Sequence, residues 1–168
     1  MAVDVKDPFV EVGRLQEVAR LRLQDWAGDN VLDALVKEAA REFDLPIGLV
    51  SIVLDDAQYF AAAHGLAGWL ADTMGTPIEW SFCANSVATG APFIVEDALS
   101  HAVVSDNPLV TQDGITCYAG APLITQNGYV LGNFCVLGSQ VRTFTEREVA
   151  RLEAYAARAI AHVEAMAS

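Results

Sequence analysis

Residues 115–137 read ITCYAGAPLITQNGYVLGNFCVL, and this stretch determines the fold more than any other part of the chain. Two mainly apolar runs, Ile115 to Ile124 and Tyr129 to Leu137, flank the turn sequence Gln126-Asn127-Gly128. Asn-Gly between apolar runs is the strongest short signal for a β-hairpin in this sequence. The stretch therefore predicts two long, neighbouring antiparallel strands.

The chain ahead of this hairpin begins with segments whose apolar spacing is typical of helices. Residues 8–26 predict an amphipathic N-terminal helix with its apolar face on Val12, Leu15, Val18, Ala19, Leu23 and Trp26. Gly28 is expected to end this helix, and Asp29 or Asn30 to cap a second helix from about Val31 to Phe43. The apolar residues of the second helix are expected to face the core: Leu32, Leu35, Val36, Ala39 and Phe43.

A second hairpin and a short helix are predicted in the middle of the chain. Two apolar runs, Ile47 to Leu54 and Tyr59 to Ala63, lie on either side of a short polar turn and predict antiparallel strands. Ser81 carries a hydroxyl suited to cap a short helix from Phe82 to Thr89. This prediction places Cys83 in the first turn of that helix.

The remaining segments predict a short strand, a long excursion and a C-terminal helix. Phe93 to Val95 form the strand, and residues 98–114 are expected to be a part-helical excursion, of the kind that is often functional in compact domains. Thr145 and Glu148 make a capping box, in which each side chain accepts the backbone amide of the other residue. This box is expected to start a helix over residues 145–166.

Length and charge restrict the class of protein. At 168 residues the chain is long enough for one core and predicts a single domain over residues 1–168. Its formal charge of -12, from 10 basic and 22 acidic residues, opposes binding to nucleic acid or to an anionic membrane surface. No apolar run is long enough to span a bilayer, and the N-terminus lacks the pattern of a secretory signal. We therefore expect a cytoplasmic protein without a nucleic-acid or membrane partner.

The three cysteines, Cys83, Cys117 and Cys135, are spaced too widely to form a CxxC pair, and the histidines do not complete a zinc-ligand pattern. We expect no metal site. The thiols are expected to be buried and reduced. The alternative is that they border one pocket and sense an oxidant, which requires two of them to approach within the range of a disulfide.

A family resemblance is carried by five segments that follow one another at characteristic spacing and resemble the GAF sensor domain. They are Ser81-Phe82-Cys83, Asp106-Asn107-Pro108-Leu109-Val110, Tyr118-Ala119-Gly120-Ala121-Pro122-Leu123, Gly132-Asn133-Phe134-Cys135-Val136 and Phe144-Thr145-Glu146-Arg147-Glu148. The resemblance extends from about Leu32 to Val163. It implies an α+β fold with a central antiparallel sheet of about five to six strands and helices on both faces.

The resemblance implies a function as well as a fold. This pattern is similar to bacterial GAF domains found ahead of histidine kinases and cyclic-dinucleotide enzymes, which report a small molecule to a partner. It therefore implies a non-catalytic sensory or regulatory module, stand-alone in this chain, with an unknown small-molecule ligand and an unknown cofactor. A signalling protein such as a histidine kinase is the implied partner, and the terminal helices are the candidate surface for a homodimer.

Six residues are candidates for the wall of the implied pocket: Trp80, Phe82, Cys83, Asp97, Asn107 and Tyr118. Trp80 and Phe82 flank the start of the short helix, where backbone amides favour an anion, although both rings can instead fill the core. Asp97 and Asn107 are suited to bind backbone amides in turns as well as a ligand. Tyr118 has a hydroxyl that needs a partner if the ring is buried.

The alternative function is that of a thiol-dependent enzyme resembling the free methionine-R-sulfoxide reductases. Cys83 lies near the position of one cysteine of that family. Residues 105–114, where the second thiol is expected, contain no cysteine, and Cys117 and Tyr118 stand where an acidic residue is expected. The sequence therefore disfavours this enzyme, and it leaves a cysteine redox sensor as the further alternative.

Overall fold

One sheet and helices on both of its faces make up the described part of the chain. The computed structural model describes residues 12–167, except the side chain of Glu79. The helices in that range are α1 (Val12–Arg20), α2 (Asn30–Glu42), α3 (Gly68–Thr73), α4 (Ala84–Thr89), α5 (Pro108–Thr111) and α6 (Glu146–Ala167). The strands are β1 (Ile47–Val53), β2 (Ala57–His64), β3 (Gly75–Pro77), β4 (Phe93–Val95), β5 (Cys117–Ile124) and β6 (Val130–Gly138). Short 3-10 turns lie at Leu23–Asp25, Ile78–Trp80 and Ala98–Ser100.

All six strands join one antiparallel sheet in the order β3-β2-β1-β6-β5-β4. The predicted hairpin is confirmed as β5 and β6, and Gly128 takes a φ of 88° in its turn. Its two strands pair Tyr118 with Leu137 and Gly120 with Cys135. The predicted α+β class, with a sheet of five to six strands, is therefore confirmed.

Each face of the sheet carries its own apolar core, because successive strand residues point to opposite faces. The first core lies under α1, α2 and α6, and its large buried side chains include Trp26, Leu32, Phe43, Phe134 and Tyr155. The second core lies under α3, α4 and α5, and its members include Leu49, Phe60, Phe82, Tyr118 and Leu137. The helices thus cover both faces, as the resemblance implies.

The helices α2 and α6 begin at their predicted caps. Asp29 Oδ1 accepts hydrogen bonds from the backbone N–H groups of Val31 at 3.0 Å and Leu32 at 2.9 Å. Thr145 Oγ1 accepts the N–H of Glu148 at 3.1 Å, and Glu148 Oε1 accepts the N–H of Thr145 at 3.1 Å. The capping residues in the sequence therefore predicted the starts of both helices correctly.

The segment between β2 and residue 78 forms two elements that the apolar pattern does not predict. The helix α3 has only six residues, and β3 pairs with β2 at three positions. Elements this short show too few periods for an apolar repeat to be visible in the sequence. They matter because α3 covers part of the second core.

The predicted N-terminal helix over residues 8–26 is wrong at its C-terminal end. The helix α1 stops at Arg20, and Arg22 takes a left-handed backbone with a φ of 58° before the first 3-10 turn. Residues 8–11 lie outside the described residues. Because the helix ends at Arg20, the chain changes direction and the Trp26 side chain lies in the first core. Its indole Nε1 donates to the carbonyl oxygen of Leu21 at 2.9 Å.

The buried face of α1 also differs from the predicted one. Val12 is 67% exposed, whereas Arg14 and Glu17 are buried. Arg14 Nη1 donates to the carbonyl oxygen of Val53 at 2.6 Å, at the end of β1. Glu17 accepts a hydrogen bond from Thr125, in the turn after β5. Polar contacts with the ends of strands therefore set the rotation of α1, and apolar spacing does not report them.

Candidate functional site

A cavity lies between the second face of the sheet and the layer formed by α3, α4 and α5. Its volume is about 30 Å³, which accommodates about two water molecules. The polar members of its wall are Gln58, Cys83, Tyr118 and Cys135. The apolar members are Ile47, Leu49, Phe60, Leu66, Leu70, Phe82, Leu109, Ile115 and Leu137. Within residues 12–167, apart from the side chain of Glu79, no carboxylate and no imidazole belongs to this wall.

The structure brings only some of the predicted pocket residues together. Phe82, Cys83 and Tyr118 line the cavity, whereas Trp80, Asp97 and Asn107 are not among its lining residues. The Phe82 and Tyr118 rings lie 5.1 Å apart between centroids, so they form one aromatic part of the wall.

The three predicted residues outside the wall have local contacts instead. Asn107 caps α5, because its Oδ1 accepts the N–H of Leu109 at 2.9 Å, and its Nδ2 donates to the carbonyl oxygen of Trp80 at 3.2 Å. The Trp80 ring packs edge-on against Trp69, with centroids 5.5 Å apart. Asp97 Oδ2 accepts a hydrogen bond from the Ser100 hydroxyl. These contacts match turn and packing roles that the sequence already left open for these residues.

The hydroxyl of Tyr118 is the centre of a buried hydrogen-bond group beside the cavity. Asn133 Nδ2 donates to it at 2.8 Å, and Cys83 Sγ lies 3.1 Å from it. Asn133 Nδ2 also donates to Ser86 Oγ at 3.0 Å, which links β6 to α4. Glycine at position 120 is required for this group, because a Cβ there would overlap the Tyr118 hydroxyl and lie 2.5 Å from Asn133 Nδ2.

A second polar group anchors the segment that leads into α4. Gln58 Oε1 accepts hydrogen bonds from Ser51 Oγ at 3.0 Å and Ser81 Oγ at 2.9 Å. Ser81 Oγ in turn accepts the N–H of Ala84 at 3.1 Å. Ser81 thus holds the helix start through its hydroxyl, but α4 begins at Ala84 and Cys83 immediately precedes it, which corrects the predicted start at Phe82.

Sequence reasoning missed Gln58, Ser51 and Asn133 as members of these groups. All three are buried polar residues within otherwise apolar strands. A polar residue in a strand that is apolar on both faces is the signal that could have found them, because burying it requires hydrogen-bond partners.

The ionisation of the cavity thiols is set by burial and by their neighbours. Burial opposes the charged form of Cys83, but hydrogen bonds from Cys135, Ser51 and Tyr118 outweigh it and lower the pKa of that thiol. Burial and the nearby Cys83 raise the pKa of Cys135 well above its usual range. Burial also raises the pKa of Tyr118, and the two thiols add to that effect. Cys83 is therefore the first of these groups to ionise.

Cys117 does not belong to the cavity. It is buried, but it neighbours Tyr118 on β5 and so points to the opposite face of the sheet, and it is absent from the cavity wall. The expectation that all three thiols border one pocket is therefore wrong for Cys117. Cys83 and Cys135 do share the cavity wall. All three are buried free thiols.

Replacement of Tyr118 by phenylalanine tests the hydrogen-bond group. We expect Tyr118→Phe to lower the free energy of unfolding by about 1 to 3 kcal/mol, because the buried Asn133 amide loses an acceptor while the ring still fills its space. Urea unfolding of both proteins measures the difference. Tyr129→Phe, a change at a half-buried tyrosine after the hairpin turn, serves as the control. An equal loss in both variants would contradict the role of the group.

The described residues were compared with the requirements of a metal site and of a membrane-spanning helix. Within residues 12–167, no group of three or more His, Cys, Asp and Glu side chains is placed to hold a metal ion. Over the same range, none of the helices combines the length and the apolar composition that crossing a bilayer requires.

The fold is that of a known domain family. The chain belongs to the GAF family, because the family model described as the GAF domain matches residues 28–163. A curated relative, a cyclic di-GMP phosphodiesterase from Pseudomonas aeruginosa, is 36% identical over 163 residues. The match covers 96% of this chain but 27% of that protein, so the chain spans about a quarter of the relative's length.

Solved structures show the same fold at low sequence identity. The GAF domain of an Acinetobacter phosphoenolpyruvate-protein phosphotransferase has a TM-score of 0.66 and 14% identity, covering 92% of this chain and 94% of that one. The corresponding domain from Coxiella burnetii has a TM-score of 0.64 and 20% identity, covering 91% and 97%. A type II free methionine-R-sulfoxide reductase from Thermoplasma acidophilum has a TM-score of 0.65 and 14% identity, covering 89% and 94%. At these identities the likeness concerns the fold alone.

Proposed function

We propose that this chain is a non-catalytic regulatory GAF module that binds a small molecule in the cavity and passes its occupancy to a signalling partner. The observation that carries the proposal is the cavity itself, with its mainly apolar wall and its few polar groups on one side. Such a wall is typical of small-molecule sites, where apolar contacts give affinity and a few polar groups give orientation.

The composition of the wall supports binding over acid–base catalysis. The wall contains thiols, a phenol and an amide but no carboxylate or imidazole. The polar groups are already engaged with one another, as in the contact of Cys83 with Tyr118. A nucleophile, a base and a group that orients the base are the set that nucleophilic catalysis requires.

The size of the cavity restricts its ligand. A volume of about 30 Å³ holds a very small molecule in the present arrangement, and anything larger has to displace the layer of α3, α4 and α5. Binding that displaces packed helices changes the surface that a partner contacts, and this coupling is what a regulatory module needs. The proposed ligand is therefore small and mainly apolar.

The curated relative supports a role for this chain in cyclic-dinucleotide signalling. It is named as a cyclic di-GMP phosphodiesterase, and the matched region is a minor part of its length. We assign a regulatory role to this chain, and an enzyme of cyclic-dinucleotide metabolism is the proposed kind of partner. Cyclic di-GMP itself is far too large for the cavity, so it is not the proposed ligand.

Matched isoleucine substitutions test the cavity as the binding site. Ile115 lines the cavity, whereas Ile124 on β5 is 44% exposed and lies outside its wall. A panel of small, mainly apolar metabolites is screened by thermal unfolding, with cyclic di-GMP as a size control. We expect a binder to raise the Tm of the original chain and of Ile124→Phe, but not of Ile115→Phe, because a ligand stabilises only the state that binds it.

The outcomes separate the cavity from other sites. A compound that stabilises Ile115→Phe as much as the original chain binds elsewhere and contradicts the proposal. A panel with no stabilising compound at all also argues against it. Stabilisation by cyclic di-GMP would overturn the restriction on ligand size.

A further inference from the structure

Two of the three cysteines meet at the cavity, and the sequence gives no reason to select them. Cys83 immediately precedes α4, and Cys135 lies in the middle of β6, where it pairs with Gly120 of β5. Both side chains belong to the cavity wall. Both are buried, and Cys83 Sγ lies 3.1 Å from the hydroxyl of Tyr118, on the strand that pairs with β6.

The surroundings of the two thiols differ in a way that assigns their roles. Cys83 Sγ lies 3.1 Å from the Tyr118 hydroxyl, and Cys135 and Ser51 also lower the pKa of its thiol. Such contacts favour the thiolate, which is the nucleophilic form of cysteine. Cys135 has the less favourable environment for ionisation. Cys83 is therefore the attacking thiol and Cys135 the resolving one.

The geometry points to a peroxide-sensing dithiol site, in which Cys83 and Cys135 are oxidised to a disulfide within the cavity. The Cys83 thiolate attacks one oxygen of hydrogen peroxide, the O–O bond breaks, and the released hydroxide takes up a proton to leave as water. The product is a sulfenic acid at Cys83. The Cys135 sulfur then attacks the Cys83 sulfur, and the sulfenic oxygen leaves as a second water with the Cys135 proton.

The cavity matches the size of this co-reactant. A volume of about 30 Å³ accommodates about two water molecules, and hydrogen peroxide has two oxygen atoms. The reaction balances in atoms and electrons, because the two thiols together lose two electrons and one hydrogen peroxide gains them to form two waters. No metal or cofactor takes part.

The bond would connect the layer of α3, α4 and α5 to the sheet. It joins the residue before α4 to a central strand of the sheet, and so ties that layer across the cavity. The small cavity is then closed to a ligand that needs α4 to move. This site goes beyond the proposed ligand binding and depends on different atoms, so either proposal can fail without the other.

Cys117 provides a matched internal control, because it is equally buried but lies on the opposite face of the sheet. The full chain and the variants Cys83→Ser, Cys135→Ser and Cys117→Ser are treated with dilute hydrogen peroxide while folded. Intact masses are compared after quenching and unfolding.

No Lys or Arg lies between residues 42 and 141, so a trypsin digest leaves all three cysteines on one peptide. Chymotrypsin is used instead, because Tyr118 and Tyr129 separate Cys117 from Cys135.

We expect the original chain and Cys117→Ser to lose the mass of two hydrogens, with peptides of Cys83 and Cys135 joined. Cys83→Ser and Cys135→Ser should show no such loss. A bond that includes Cys117, oxidation of Cys83 to a sulfinic acid without a bond, or no reaction of the folded chain would each overturn the proposal. If a serine variant does not fold, the peptide map of the original chain decides alone.

Discussion

Gly132→Ala is expected to lower the free energy of unfolding by about 3 kcal/mol. Gly132 lies on β6 opposite Ile52 of β1, in the centre of the sheet. A Cβ at this position would overlap the carbonyl oxygen of Ser51 and lie 2.9 Å from the Cα of Ile52. These are backbone atoms of a neighbouring strand, so the two central strands would have to separate. The change also disturbs the site, because Asn133 and Cys135 follow on the same strand.

Gly138→Ala is the matched control for this prediction. A Cβ at that position would lie 3.1 Å from both Leu45 Cδ2 and Pro46 Cδ, which are side-chain atoms and not the backbone of a paired strand. The alanine also restricts the unfolded chain, which favours folding by about 0.4 to 1 kcal/mol. We therefore expect little net loss in the control when both variants are unfolded with urea. A Gly132→Ala variant as stable as Gly138→Ala would show that β1 and β6 are not as close as the structure places them.

Glu17→Gln is expected to lower the free energy of unfolding by about 2 to 3 kcal/mol at neutral pH. Glu17 is buried on α1 and forms a salt bridge with Arg20, whose Nε lies 2.7 Å from Glu17 Oε1. Arg20 also bonds Glu164 of α6 at 2.7 Å, so the pair ties the two terminal helices together. The Arg20 hydrogen bond is the main cause that lowers the pKa of Glu17 to about 2, against burial, and Thr125 adds to it.

The dependence on pH follows from the lowered pKa. The folded state holds Glu17 ionised down to about pH 2, whereas the unfolded chain takes up the proton near the ordinary value of 4.5. The stabilisation is therefore present in full above pH 4.5 and is lost as the pH falls through 2. Urea unfolding at a series of pH values should show the original chain and Glu17→Gln converging toward pH 2.

Glu153→Gln, on the exposed side of α6, controls for the loss of one negative charge. It should change stability little at any of these pH values, because an exposed carboxylate is screened by solvent. A constant difference between Glu17→Gln and the original chain down to pH 2 would contradict the assigned ion pair.

The sequence by itself determined the elements with strong local signals. Asn127-Gly128 fixed the central hairpin, Asp29 and the Thr145–Glu148 box fixed the starts of α2 and α6, and apolar spacing fixed their buried faces. These signals act between residues a few positions apart, so they can be read without the fold. The GAF resemblance added the single antiparallel sheet and the helices on both of its faces.

Only the tertiary structure decided which side chains meet. The rotation of α1 depends on Arg14 reaching the end of β1, a contact between residues 39 positions apart. Cys83 and Cys135 were two of three similar thiols in the sequence. The alternation of strand faces placed Cys135 at the cavity and Cys117 on the opposite side, and the segment before α4 placed Cys83 at the cavity. Asn133 and Tyr118 come together because Gly120 leaves room between them. Such contacts join residues of separate elements and depend on packing across the sheet, which local sequence patterns do not report.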